Sequence, residues 1–137
     1  MKYKYFKVMT NQTTNYLYDL HNIYKTWLNE LALAKDEIAH FRKNLETVVN
    51  ANNKVEITSN VEQYQNMFIT NLNELQLLIH DVNTAERLIE ENIKQNPVAA
   101  DHRKMEVDGE LNQRMQQFHK LFRELKFDYN NFLAKTL

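Results

Sequence analysis

LYDLHNIYKTWLNELALAKDEIAHFRKNLETV, residues 17–48, decides the fold. Read in steps of three and four it yields Leu17, Leu20, Tyr24, Trp27, Leu31, Ala34, Ile38, Phe41, Leu45 and Val48. No step is missed, and no charged residue falls on the stripe. Such spacing keeps side chains on one helical face, with a mean period of about 3.5 residues. A face this long needs other helices to cover it, and two further segments carry matching stripes.

The second stripe is Val61, Tyr64, Phe68, Asn71, Leu75, Leu78, Val82, Ala85 and Ile89, widened on one side by Leu72, Ile79 and Ile93. A widened stripe suits a helix that touches two neighbours. The third is Leu111, Met115, Phe118, Phe122, Leu125, Tyr129 and Phe132. Three helices are therefore expected in one domain spanning 1–137, over about 11–50, 59–96 and 108–135, after an N-terminal arm at 1–10. The helix starts rest on capping chemistry. Thr10 opens the first. Ser59 with Glu62 forms a capping box for the second, with Thr58 as an alternative. Asp108 caps the third, because Gly109 is a poor helix-interior residue. Pro97 ends the second helix. Residues 97–107 give no periodic signal.

Short links make successive helices antiparallel, so their registers can be aligned from the turns. The alignment places Phe41 with Phe68 and Tyr129, and Leu45 with Tyr64 and Phe132. The expected fold class is all-α, an elongated, left-handed, antiparallel three-helix bundle with coiled-coil-like packing. Spectrin-type repeats share that architecture. Composition agrees. One Gly and one Pro in 137 residues exclude turn-rich β-sandwiches and doubly wound α/β folds.

Charge and motifs bound the function. Lys plus Arg number 17 against 18 Asp plus Glu, so no global field draws the chain to nucleic acid or anionic lipid. The charge is nonetheless uneven. Residues 54–96 hold seven acids and three bases, net −4, whereas Lys2, Lys4 and Lys7 give the arm +3. The arm is also apolar, through Tyr3, Tyr5, Phe6, Val8 and Met9. Its sequence lacks the apolar core of a signal peptide, and no stretch is apolar enough to span a bilayer. With no Cys, the chain has neither disulfides nor a thiolate nucleophile, in keeping with a cytoplasmic setting. One Gly cannot make a phosphate-binding Gly-rich loop.

The sharpest metal-ligand spacing is Glu37-Ile38-Ala39-His40, the E-x-x-H of di-iron bundles. With Ile38 on the core stripe, His40 turns toward solvent, and a second E-x-x-H is missing. Glu37 and His40 are thus candidates for a metal only in a minor reading, as is His102 in the link beside Asp101 and Arg103. No cofactor is expected. His80 lies opposite its apolar stripe, while His21 and His119 flank theirs. Asn71 interrupts the second stripe and reads as a register device facing Ile38, Leu125 and a tyrosine hydroxyl. Tyr18, Leu33, Ile69, Leu77 and Phe127 are apolar but off the stripes, and they are the candidate interaction residues.

Four strings, TWLNEL at 26–31, KDEI at 35–38, NPVA at 96–99 and FLAK at 132–135, resemble those of short all-helical proteins of Bacteroidetes. That family carries no assigned activity. The resemblance implies a bacterial cytoplasmic protein and says nothing of sites. The reading that remains is a non-enzymatic bundle acting through protein contacts, as scaffold, adaptor or regulator, with an unidentified protein or a second copy of itself as partner. A metal-binding bundle is the first alternative. The second is a nucleic-acid or membrane-surface binder using Lys2, Lys4, Lys7, Arg114, Lys120, Arg123 and Lys126.

Overall fold

The structure, a computed structural model, describes residues 14–51, 54–100 and 103–136. It is all-α apart from one short strand pair. The order is β1 (Thr14–Tyr16), α1 (Leu17–Ala51), α2 (Val55–Gln95), α3 (Pro97–Ala100), β2 (Lys104–Glu106) and α4 (Gly109–Thr136). The three long helices are those the stripes predict. The described residues form two compact units, one of residues up to Glu30 with Leu78–Gln116, the other of Leu31–Leu77 with the residues from Gln117. In each unit stretches of α1, α2 and α4 pack together as a three-helix bundle.

In the first unit the core is Leu17, Leu20, Ile23, Tyr24 and Trp27 against Leu78, Val82 and Ile89, closed by Val107, Leu111 and Met115. In the second, Leu31, Ala34, Ile38, Phe41, Leu45 and Val48 meet Val61, Phe68 and Leu75, with Phe118, Phe122, Leu125, Tyr129 and Phe132. Every stripe residue of α1 and α4 is buried. The layers expected from the turns form in the second unit. The Phe41 ring lies 5.5 Å from Phe68 and 5.0 Å from Tyr129, and Tyr64 lies 5.0 Å from Phe132. Buried hydroxyls need partners. Tyr129 donates to the Phe41 carbonyl at 2.8 Å, and the more exposed Tyr64 hydroxyl donates to the Asp128 carbonyl at 3.2 Å.

Several boundaries differ from the sequence reading. The first helix starts at Leu17, not near Thr10, because the backbone of 14–16 is used in a strand. β1 pairs antiparallel with β2, Thr14 opposite Glu106, Asn15 opposite Met105 and Tyr16 opposite Lys104. The Leu17 amide extends the ladder by donating to the Arg103 carbonyl at 3.2 Å, and the Lys104 ammonium sits 4.7 Å over the Tyr16 ring. The arm at 1–10 and Thr10 lie outside the described residues. The Ser59–Glu62 capping box is not formed, since both residues lie inside α2. The Lys54 carbonyl accepts from the Thr58 amide and hydroxyl, each at 3.1 Å, so the first turn closes four residues earlier than expected. Glu56 in that turn favours the early start, its negative charge meeting the positive end of the helix dipole.

Other expectations stand. α2 ends at Gln95, and Pro97 opens the short α3, where its missing N–H costs nothing. Asp108 caps α4. Its Oδ1 accepts from the Leu111 amide at 3.1 Å and its carbonyl from the Asn112 amide at 2.9 Å. The Asp108 amide donates to the Tyr24 hydroxyl at 3.1 Å, fastening the cap to α1.

Candidate functional site

In the first unit an open groove of about 840 Å³ runs between the C-terminal half of α2 and the segment from Met105 into α4. Three elements shape it. α2 presents Ala85 and Ile89, β2 presents Met105, and the turn into α4 and the helix's first turn present Val107 and Leu111. These are half-buried or buried and form an apolar floor. The cap at Asp108 starts α4 here and so sets the angle of the groove wall. Gly109 lies on the wall, and a Cβ built on it would meet nothing within 4 Å.

The groove carries an excess of negative charge. Asp81, Glu91, Glu106, Asp108 and Glu110 line it against only two cations, Arg87 and Arg114. Arg114 is engaged, its guanidinium 2.7 Å from Asp81 Oδ2. Leu88 stands among these charges with 53% of its surface exposed. A surface of this kind can hold aliphatic or aromatic side chains on its floor and cations at its edge. Tyr24 also borders the groove. Burial pushes its phenol above the ordinary range. The hydrogen bond from the Asp108 amide opposes that shift, and the Asp108 carboxylate adds to it.

A second feature of this unit went unread in the sequence. Glu86 is buried at 5% exposure, and its Oε1 contacts His21 Nδ1 of α1. Among the described residues these two buried atoms find no hydrogen-bond partner other than each other. A carboxylate on a helix flank reads as solvated, but Glu86 stands seven residues from both Ile79 and Ile93. It is the charged member of a series that widens the apolar stripe. His21, one residue from Leu20 on α1, is its complement. The signal was the break in that series. Among the described residues Asn112 is the other buried polar side chain, with Oδ1 accepting from Gln116 Nε2 at 3.4 Å.

The residues singled out from sequence are not brought together. Glu37 is partly exposed and its Oε2 lies 3.3 Å from Lys126 Nζ. His40 is exposed, its ring 6.4 Å from that of Phe41. His102 lies outside the described residues. Among the described residues no three His, Asp or Glu side chains gather as a metal ion would require. His80 is exposed, and His119 is half-buried with its ring 6.1 Å from Phe118. Asn71 does not bridge helices as expected; its Nδ2 donates to the Met67 carbonyl of its own helix at 3.0 Å. An amide side chain four residues from a carbonyl on the same helix reaches it at little entropic cost. Tyr18, Leu33, Ile69, Leu77 and Phe127 are all exposed, at 42, 65, 41, 57 and 68%. Two members of the proposed basic set, Arg114 and Lys126, sit against carboxylates. No described helix is long and apolar enough to cross a membrane.

Comparison with protein-family models, with curated proteins and with solved structures found no match.

Proposed function

We propose that this chain is a non-enzymatic bacterial protein of the cytoplasm that works by contact with another protein, as a scaffold, adaptor or regulator. The observation that carries the reading is the contrast between equivalent side chains on one helix. In the second unit Leu31 is fully buried while Leu33, two residues on, is 65% exposed, and Phe127 on α4 is 68% exposed beside buried Leu125 and Tyr129. The stripes already satisfy the core, so these side chains are surplus to it. Covering one such side chain is worth roughly 1.5–3 kcal/mol, which a partner surface can collect. The likeness to short helical proteins of Bacteroidetes supports the bacterial setting. The pairing of Lys126 with Glu37 supports a protein surface over a phosphate-binding one, since the ammonium already has a counter-charge.

The test is a photoreactive residue placed singly at Leu33 and at Phe127 in cells, with exposed Lys43 and Asn130 as polar controls. The expected result is a discrete adduct from the apolar positions and none from the controls. An adduct of twice the chain mass identifies a second copy as partner. Equal labelling at all four positions, or none, would refute the reading. So would stoichiometric iron, manganese or zinc in the purified protein.

A further inference from the structure

The groove beside α4 is acidic, has an apolar floor, and lies where one particular piece of chain is delivered. In the antiparallel β1–β2 register Thr14 faces Glu106 and Tyr16 faces Lys104. Read from Tyr16 to Thr14, β1 therefore runs the way β2 runs toward Glu106, next to Val107, Asp108 and Gly109 in the chain. Those residues are the groove wall. Residues 1–13, which precede β1 and lie outside the described residues, are attached at that edge.

Their composition complements the groove. Lys2, Lys4 and Lys7 supply cations for Glu91, Glu106 and Glu110, none of which is drawn into the core. Tyr3, Tyr5, Phe6, Val8 and Met9 supply apolar surface for a floor of Ala85, Ile89 and Met105. Thirteen residues reach at most about 43 Å at roughly 3.3 Å each, ample to cover a groove that begins at their point of attachment. Attachment makes the encounter intramolecular, so even weak contacts are favoured by an effective concentration in the millimolar range.

We propose that the N-terminal arm of this chain, residues 1–10, is the occupant of the acidic groove formed by α2, β2 and the start of α4. The docking is independent of the partner surface assigned to Leu33 and Phe127. Occupied, the groove covers Leu88 and neutralises its excess carboxylates. Freed, it exposes both.

The native chain has no Cys, so Val8→Cys in the full-length protein gives a single site for a nitroxide spin label. With isotope-labelled chain, the expected result at low salt is selective loss of amide signal at Ala85, Leu88 and 105–111. The loss should reverse in high salt, which screens exposed charge pairs. It should also vanish in the Glu91→Lys/Glu110→Lys variant, whose signals elsewhere report whether the fold is intact. Signal loss elsewhere, or nowhere, would overturn the proposal. So would loss seen only when spin-labelled chain without isotope is mixed with isotope-labelled chain lacking the nitroxide, which would make a second copy the occupant.

Discussion

At the scale of single residues, Glu86 and His21 are where the core departs from pure hydrocarbon. A buried carboxylate costs several kcal/mol in desolvation, and only a close counter-charge or hydrogen bond offsets it. Removing one partner is therefore worse than removing both. His21→Leu or Glu86→Leu alone should destabilise the protein by about 1–3 kcal/mol, the lower part of the usual range because His21 is 30% exposed. The double variant should recover much of that loss in urea unfolding. Additive losses would show that the two side chains do not interact. Tyr129 makes a second point. Burial raises its phenol from the ordinary 10.0 to about 12, with the Asn44 side chain opposing, and the neutral hydroxyl donates to Phe41. The folded state thus holds this proton more tightly than the unfolded one. Its contribution is intact below about pH 10 and is lost as pH rises toward 12, roughly 2–3 kcal/mol in all. Tyr129→Phe should cost about 1 kcal/mol at neutral pH and flatten the alkaline decline. An unchanged alkaline profile would contradict this assignment. Neither feature was legible from sequence in the same way. Tyr129 lay on a perfect stripe, whereas Glu86 had to be noticed as the odd member of a flank.

At the scale of elements, stripes were readable and short backbone pairings were not. Three- and four-residue spacing located α1, α2 and α4 because burial of a helical face repeats over many turns and averages out local noise. β1 and β2 have three residues each. They carry no alternation long enough to detect, and their partners lie some ninety positions apart in sequence. Their pairing uses the backbone just ahead of Leu17, so it also hid where α1 begins. Caps divided along similar lines. Asp108 was identifiable because Gly109 follows it, while Ser59 and Glu62 matched a motif whose hydrogen bonds the chain makes at Lys54 instead. Asp108→Ala should cost about 1 kcal/mol through loss of the Leu111 amide bond. The altered start of α4 should register as faster amide exchange at Leu111 and Asn112. Unchanged exchange there would mean that the carboxylate does not hold the turn.

At the scale of the whole molecule, near-balanced charge and breaker-poor composition narrowed the class, and the heptad seams specified it. The candidate site was far less legible. The exposed positions Tyr18, Leu33, Ile69, Leu77 and Phe127 followed from being off the stripes. The groove did not, because it depends on the strand pair and on the angle at which α4 starts. The account rests on the seams absorbing the apolar residues that hold the fold while leaving others free for contact. The most direct test compares two leucines of one helix, Leu31 at 0% and Leu33 at 65% exposure, by urea unfolding of their alanine variants. Leu31→Ala should lose about 2–5 kcal/mol, as for large core deletions, and Leu33→Ala no more than about 0.5 kcal/mol. Equal losses would contradict the account.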